Sequence, residues 1–417
     1  MTSTSSVPNG WLPLEDALRR ALSQVRPVNE TEAVLVNDAL HRVVSEDVVA
    51  AVNVPPADNS AMDGFALYAS DSQSSTPLAV VATQLAGMPQ REVKLEKGQA
   101  VRIMTGALVP TGADCVVMQE NTTRTDQQVV INKAAMPGEN IRRAGGDIAS
   151  GATVIQAGTQ LTASHLVLLA SMGIAAVNVY RKLRVGIIAT GDELKPAGET
   201  LASGQIYESN RTGTRALLAA EPVTITDYGI VADDKAALSD VFSKAAKEQD
   251  LVISSGGVSV GDADFVKELV ASQGDIAFWK IAIKPGKPFA FGSLGDAVFC
   301  GVPGNPVSAF VTTQQLVLPV IKRLTGVISE TAVTPLTFRA TLTSPVRRRA
   351  GRQEFLRARM HKNDQGDYEV VPLAKQSSGV MTTVTQANCY IIVPAECSEI
   401  IVGNSVTIQP FSLLETH

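Results

Sequence analysis

The sequence predicts a multidomain α/β plus β protein: a doubly wound, mostly parallel sheet domain accompanied by an N-terminal β domain, a helical linker domain and a C-terminal β domain. Three observations carry this. The chain has 417 residues, too many for one compact unit at roughly 150 residues per domain. Apolar β-branched runs alternate with helical runs through residues 182–326, the pattern of a parallel sheet covered on both faces. Before and after that stretch come short apolar runs separated by Gly, Pro, Asp and Asn, an all-β texture.

The first element is a helix, because Leu14, Ala17, Leu18, Ala21 and Leu22 recur at helical spacing and Pro27 closes it. It reads as a connector rather than a site. From Val52 the runs AVVATQLAG, QAVRIMTG, DCVVMQE and QVVINK are strands. A helix with Leu166, Leu169 and Ala170 on one face and the strand AAVNVY follow, a piece that could rejoin the N-terminal helix. Then come LRVGIIA, a helix through Arg215, VTITDYGIV, a helix over 233–247, DLVISS, a helix over 262–271, IAFWKIAI, PFAFG, AVFCG and a long helix over 306–324. The remainder returns to short β runs: LTFRATL, YEVVPL, CYIIVP and SVTIQPF. The expected units are therefore 1–51 plus 152–181 as linker, 52–151 as a β domain inserted in it, 182–328 as the α/β domain and 329–417 as the C-terminal β domain.

Composition narrows the function. Lys plus Arg number 36 against 41 Asp plus Glu, a net charge of −5, so there is no general basic surface for nucleic acid, and any anion site must be local. The four cysteines, Cys115, Cys300, Cys389 and Cys397, form no C-x-x-C pair, and with only four histidines neither a disulfide framework nor a thiolate or histidine zinc centre is indicated. The N-terminus lacks the basic and apolar regions of a signal peptide, and no apolar stretch is long enough to span a bilayer. A cytoplasmic protein without membrane or nucleic-acid partners is expected.

In a doubly wound sheet, ligands bind where loops leave the carboxyl ends of the strands. Three polar, glycine-bearing segments sit there: Thr190-Gly191-Asp192-Glu193, SSGGVSVGDAD over 254–264, and GVPGNPVS over 301–308. Gly256 and Gly257 would let backbone N–H groups approach a phosphate. One such loop merely turns a chain, but three at one sheet edge indicate an anion-binding crevice. Asp192, Glu193, Asp262 and Asp264 accompany the glycines, with Asp233 opening another helix. For Asp233 and Asp262 helix capping is at least part of the reason. A carboxylate such as Glu193 beside a phosphate-accepting loop makes sense if a cation intervenes, and oxygen ligands favour Mg²⁺. Lys280, Lys284 and Lys287 in WKIAIKPGKPF lie on a turn stiffened by Pro285, Gly286 and Pro288 and suit a compact oxyanion.

Other motifs carry less. Gly257-Val258-Ser259-Val260-Gly261 matches G-x-S-x-G, but the helix is expected to begin only after Gly261, and a downstream histidine is limited to His361 or His417. No G-x-G-x-x-G follows a strand, and Gly286-Lys287 lacks the rest of a phosphate-binding P-loop. The segments around Asp63, Thr105, Arg142 and Asp147 read as ordinary turns, and Arg347-Arg348-Arg349 as a solvated basic face.

Taken together, DNSAMDGFAL, RIMTGALVP, NIRRAGGDI, TGDEL, QIYESNR, SSGGVSVGDADF, KIAIKPGKPFAFG and GVPGNPVSA closely resemble the molybdopterin molybdenumtransferases, the family that includes the catalytic half of gephyrin. The resemblance runs in the family's order over nearly the whole chain. It implies a sheet domain of the molybdopterin-binding type and an enzyme that inserts molybdenum from molybdate into adenylylated molybdopterin with release of AMP. By the same resemblance, Ser255, Gly256 and Gly257 would hold the pterin or phosphate portion, with Pro303 and Pro306 on the substrate wall. Asp192, Glu193, Asp233 and Asp264 would place Mg²⁺, and Lys284, Lys287, Ser308, Arg352 and Ser378 would bind molybdate. Asp63, Thr105, Arg142 and Asp147 match residues that the family places at an active site shared between two subunits, so a homodimer is implied. The adenylyltransferase that makes the substrate and molybdoenzyme-specific chaperones would be further partners. The sequence is also compatible with that adenylyltransferase itself or with a non-catalytic molybdopterin-binding scaffold.

Overall fold

The computed structural model describes residues 10–89, 94–257 and 265–411. Its centre is a six-stranded sheet built from β1 (Leu183–Thr190), β2 (Val223–Val231), β3 (Leu251–Ser255), β4 (Ile276–Lys280), β5 (Pro288–Leu294) and β6 (Ala297–Val302), in the order β2-β1-β3-β6-β5-β4. The first four strands of that order run parallel, β5 is antiparallel to β6, and β4 is antiparallel to β5. β1, β3 and β6 are almost wholly buried, as strands covered on both faces must be. The covering helices are α2 (Asn210–Leu218), α3 (Lys235–Glu248), α4 (Phe265–Gln273), α5 (Pro306–Thr312) and α6 (Leu318–Leu324). Because the chain moves from β1 outward to β2 and then returns to place β3 on the other side of β1, the switch point lies between β1 and β3.

The long helix expected over 306–324 is interrupted by a π-helical turn at Thr313–Val317. Pro319 explains it: proline has no N–H to offer the carbonyl four residues back and its ring crowds that carbonyl, so the ladder widens. The turn has a use. Gln314 Oε1 accepts from the Tyr390 hydroxyl at 2.8 Å and Gln315 Nε2 donates to Gln409 Oε1 at 3.0 Å, seating the C-terminal domain on this helix.

That C-terminal domain is a barrel in which Gln353–Lys362, Tyr368–Pro372, Phe338–Leu342, Ser405–Pro410 and Cys389–Val393 pair in sequence and close on the first strand. The segment Ile283–Lys284 joins it as a parallel partner of Gln353 and Glu354. Phe355 and Tyr390 of the barrel belong to the same core as the sheet.

The N-terminal helix α1 (Leu14–Gln24) does not join the linker helix Ala163–Ser171, the association held open from the sequence. It buries Ala17 and Ala21, with Val25 just beyond it, in the α/β core, while Leu169 of the linker helix packs with Val36, Val44, Val177 and Val179. The linker adds two short antiparallel ladders to its helix, Thr31–Leu35 with Ala176–Tyr180 and Val48–Val49 with Thr153–Ile155. The inserted β domain has its own six-stranded sheet and core, centred on Phe65, Leu67 and Val117. Arg181 stitches linker to sheet domain, donating to Asp250 at 2.6 and 2.9 Å and also to Glu30.

Candidate functional site

At the carboxyl edge of the sheet, over the switch point, lies a cleft of about 410 Å³. Loops after β1, β2, β3 and β6 all contribute: Thr190 and Glu193, Asp233, Ser255 to Gly257, and Pro303 to Pro306. The strand register sets Ala189 opposite Ser255, with Thr190 one residue further on, and Ser255 pairs with Val302 on the far side.

Gly256 and Gly257 take φ of +87° and +62°, and a Cβ at either would meet the Thr190 carbonyl oxygen or Val266 Cγ2 at 2.4 Å. Glycine is required here both by the left-handed backbone and by the close approach of two strand ends. Thr190 Oγ1, pressed against both glycines, is buried and has no hydrogen-bond partner among the described residues, as is the case for Ser254 Oγ. A buried hydroxyl left unpaired is costly unless something else satisfies it, so Thr190 offers the cleft a free polar group that the sequence did not single out.

Glu193 folds back over Gly191, where a Cβ would meet its carboxylate at 2.7 Å. Asp192 Oδ1 accepts the Asp233 N–H at 3.0 Å and ties the β1 and β2 loops together. Asp233 is not the helix cap: Asp234 is, its carboxylate accepting from the N–H groups of Ala236 and Ala237. Asp233 is thereby free to line the cleft, where burial first, and then the charges of Asp192 and Glu193, push its carboxyl above the ordinary range. Among the described residues these three carboxylates have no ion-pair partner, and no three His, Cys, Asp or Glu side chains are pre-arranged as a metal cage. The donor set still suits a hard divalent cation, which takes oxygen ligands and would relieve the mutual repulsion. Asp262 and Asp264, the remaining acidic residues of this group, and Ser259 lie outside the described residues.

Beside the cleft, Lys287 precedes the lining residue Pro288. Gly286, at φ +117° and against Thr312 and Ile283, holds this turn on α5. Lys284 Nζ contacts Glu354 Oε1 at 2.7 Å, and Glu354 Oε2 lies 3.4 Å from Arg348 Nε, so one buried carboxylate serves two cations and the trio stays net positive. Lys287 Nζ and the Arg352 guanidinium lie 4.7 and 6.0 Å from the centre of the Trp11 ring. Ser308 is buried on α5, and the Val307 N–H donates to the Ser378 carbonyl at 3.2 Å, which brings the Ser378 loop to the start of that helix. Gln376 fixes the same loop by bonding both backbone groups of Arg357, whose guanidinium donates to the Ser377 carbonyl. Lys280 lies elsewhere, lining a pocket with Trp11 and Trp279.

The arginine run is not uniformly solvated. Arg347 is 82% exposed and pairs with Glu399, whereas Arg348 is 5% exposed and donates to the Arg352 carbonyl at 2.7 and 2.6 Å. The alternation of an extended chain turns neighbours to opposite sides.

In the inserted β domain, Asp63 Oδ1 accepts from the Thr105 N–H and hydroxyl, both at 2.7 Å, and these bonds hold its carboxyl below the ordinary range. Arg142 is exposed on the ladder opposite Asn59, and Asp147 is exposed just beyond. None of the four is among the residues lining the cleft.

Comparison with known proteins covers nearly all of the chain. Residues 12–173 match the MoeA N-terminal region (domain I and II), 186–323 a probable molybdopterin binding domain, and 339–411 the MoeA C-terminal region (domain IV). A molybdopterin molybdenumtransferase of Haemophilus influenzae is 44% identical over 404 residues, covering 97% of this chain and 99% of that protein. One from a Nostoc species is 36% identical over 378 residues, covering 88% and 85% respectively. The crystal structure of a molybdopterin biosynthesis moeA protein from Pyrococcus horikoshii superposes with a TM-score of 0.83 at 28% identity, covering 96% of this chain and 100% of that one.

Proposed function

The chain belongs to the molybdopterin molybdenumtransferase family, enzymes that insert molybdenum into molybdopterin, and from that premise we propose that it takes molybdenum from molybdate into adenylylated molybdopterin and releases AMP. The observation that carries the reading is the adjacency of two unlike half-sites. A glycine-lined cleft with unneutralised carboxylates lies beside a turn bearing Lys284 and Lys287, which Arg352 joins from just before a barrel strand.

The chain's residues divide the work. Gly256 and Gly257 admit the phosphate portion close to the backbone, and the Thr190 hydroxyl is available to bond it. Glu193 and Asp233, with Asp192 behind them, would hold Mg²⁺ together with Asp264. When bound, that ion would polarise the pyrophosphate and withdraw charge from the bond to AMP. Lys284, Lys287, Arg352 and the Ser308 hydroxyl meet molybdate as cations and donors around a dianion, with Ser378 beside them. Glu354 keeps Lys284 in place without cancelling the trio's positive charge.

Asp63, Thr105, Arg142 and Asp147 enter through a second copy of the chain. The support is that the cleft is lined from residues 190–306 alone while these four lie in the inserted β domain, outside that lining, so a shared site in a homodimer would account for both. No helix among the described residues is long and apolar enough to cross a membrane, and the reading is of a cytoplasmic enzyme fed by the adenylyltransferase and handing product to chaperones. The adenylyltransferase alternative is disfavoured because the match extends through the N- and C-terminal regions as well as the sheet domain. The deciding experiment incubates the purified protein with adenylylated molybdopterin, Mg²⁺ and molybdate and follows AMP release together with molybdenum incorporation. Release without incorporation, or neither, refutes the proposal.

A further inference from the structure

Trp11 belongs to no motif, yet it stands where three distant parts of the chain meet. Leu12 donates its N–H to the Lys280 carbonyl at 3.1 Å and accepts from the Ala282 N–H at 2.7 Å. The Ala282 carbonyl accepts in turn from the Gln353 N–H at 2.9 Å. The segment 280–284 is thus clamped between the bridge at Leu12 and the barrel, and the backbone on which Trp11 sits is fixed immediately before α1.

The indole that results faces two cations, Lys287 at 4.7 Å and Arg352 at 6.0 Å. Among the described residues neither side chain has a carboxylate partner, unlike Lys284, which has Glu354. A ring face attracts a cation through its quadrupole without neutralising it. Trp11 can therefore hold two like charges near one another while leaving both able to meet an incoming dianion, which an acidic partner would not. The same indole lines a pocket of about 490 Å³ whose charged lining residues among those described, Arg20, Lys267 and Lys280, are cations, which draws anions towards it in a chain that is net negative.

We infer that Trp11 is a positioning residue for oxyanion binding: it holds Lys287 and Arg352 by their charged ends, unneutralised, at the rim of a basic pocket that gathers the anion. The inference rests on the reading that Lys287 and Arg352 bind molybdate. It implies that removing the ring weakens oxyanion capture while leaving the chemistry and the pterin cleft alone.

Two measurements test it. In Trp11→Leu, KM for molybdate should rise about five- to thirty-fold, the loss of two exposed cation–π contacts, while kcat and KM for adenylylated molybdopterin stay near wild type and Trp11→Phe recovers most of the loss. Second, the chain has two tryptophans, so in a Trp279→Phe background Trp11 is the sole indole, and its fluorescence should change saturably with molybdate alone and lose that response in Lys287→Ala. An unchanged KM for molybdate in Trp11→Leu overturns the inference. So does a parallel loss in kcat and both KM values that phenylalanine fails to restore, since that would mark a merely structural role. If the wild type shows no turnover at all, the proposed activity fails, and the fluorescence titration still decides Trp11: no response to molybdate overturns its role.

Discussion

Replacing Gly256 by alanine should disable the cleft while leaving the fold standing, and the structure allows the effect to be worked out beforehand. Two penalties combine at this position. The backbone φ of +87° costs an L-residue about 1–2 kcal/mol. The new Cβ would also sit 2.4 Å from the Thr190 carbonyl oxygen and 2.9 Å from its Oγ1, closer than a carbon and an oxygen can approach. The second obstacle is backbone at the end of a central strand, so it cannot swing aside as a flexible side chain would. Thr190 or the glycine loop must retreat by a large fraction of an ångström, and a displacement of about 1 Å of a positioning group costs on the order of 100-fold in rate. Gly213→Ala is the matched control. Gly213 lies within α2, has nothing within 4 Å of its would-be Cβ and no positive φ, so alanine should stabilise the protein by about 0.5–1 kcal/mol. The assay is molybdenum insertion alongside thermal unfolding for both variants. Gly256→Ala should lose about two orders of magnitude in kcat/KM and a few degrees in Tm, whereas Gly213→Ala keeps its activity and gains stability. A fully active Gly256→Ala enzyme would refute the argument that the close approach of β1 and β3 builds the phosphate-facing surface.

Glu193→Gln should abolish Mg²⁺-dependent AMP release without lowering Tm, because the amide keeps the shape and loses the charge a cation needs; unchanged release would reject the metal role. Mixing Asp63→Asn with Glu193→Gln subunits, each inactive alone, should recover about a quarter of wild-type activity under random exchange, since half the dimers are mixed and one of their two sites is intact; no recovery after demonstrated exchange would reject the shared site. Asp250→Asn should destabilise the protein by roughly 2 kcal/mol at neutral pH. Burial alone would raise the Asp250 carboxyl, but the hydrogen bonds from Arg181 and Arg184 prevail and hold it at about 2 against an ordinary 3.8. A depressed carboxylate contributes its full stabilisation above pH 3.8 and loses it as pH falls towards about 2, so the gap between wild type and variant in denaturant melts should narrow over that window, and a constant gap would contradict the ion-pair account.

The alternation of apolar strands with helices, the β texture on either side and the glycines of the switch-point loops were legible in the sequence because they follow from local periodicity and from what backbone each residue tolerates. Gly256, Gly257 and Glu193 could be assigned to one edge on that basis, since a parallel sheet delivers its loops to a common end, whereas Asp233 came to that edge only through the family resemblance. What the sequence could not decide was orientation and company. Asp233 reads as part of a helix cap from the sequence, and only the folded backbone makes Asp234 the cap and leaves Asp233 to the cleft. Arg348 reads like its neighbours in a basic run until strand alternation turns it inward to brace Arg352. Lys280 and Lys284 share one short segment and yet part, because that segment is clamped between Leu12 and Gln353 and presents its residues to different sides. Trp11 carries no local signal at all; its place over Lys287 and Arg352 exists only because pairings between residues hundreds of positions apart bring three segments into one seam, and such pairings are set by the packing of whole domains rather than by any neighbouring residue.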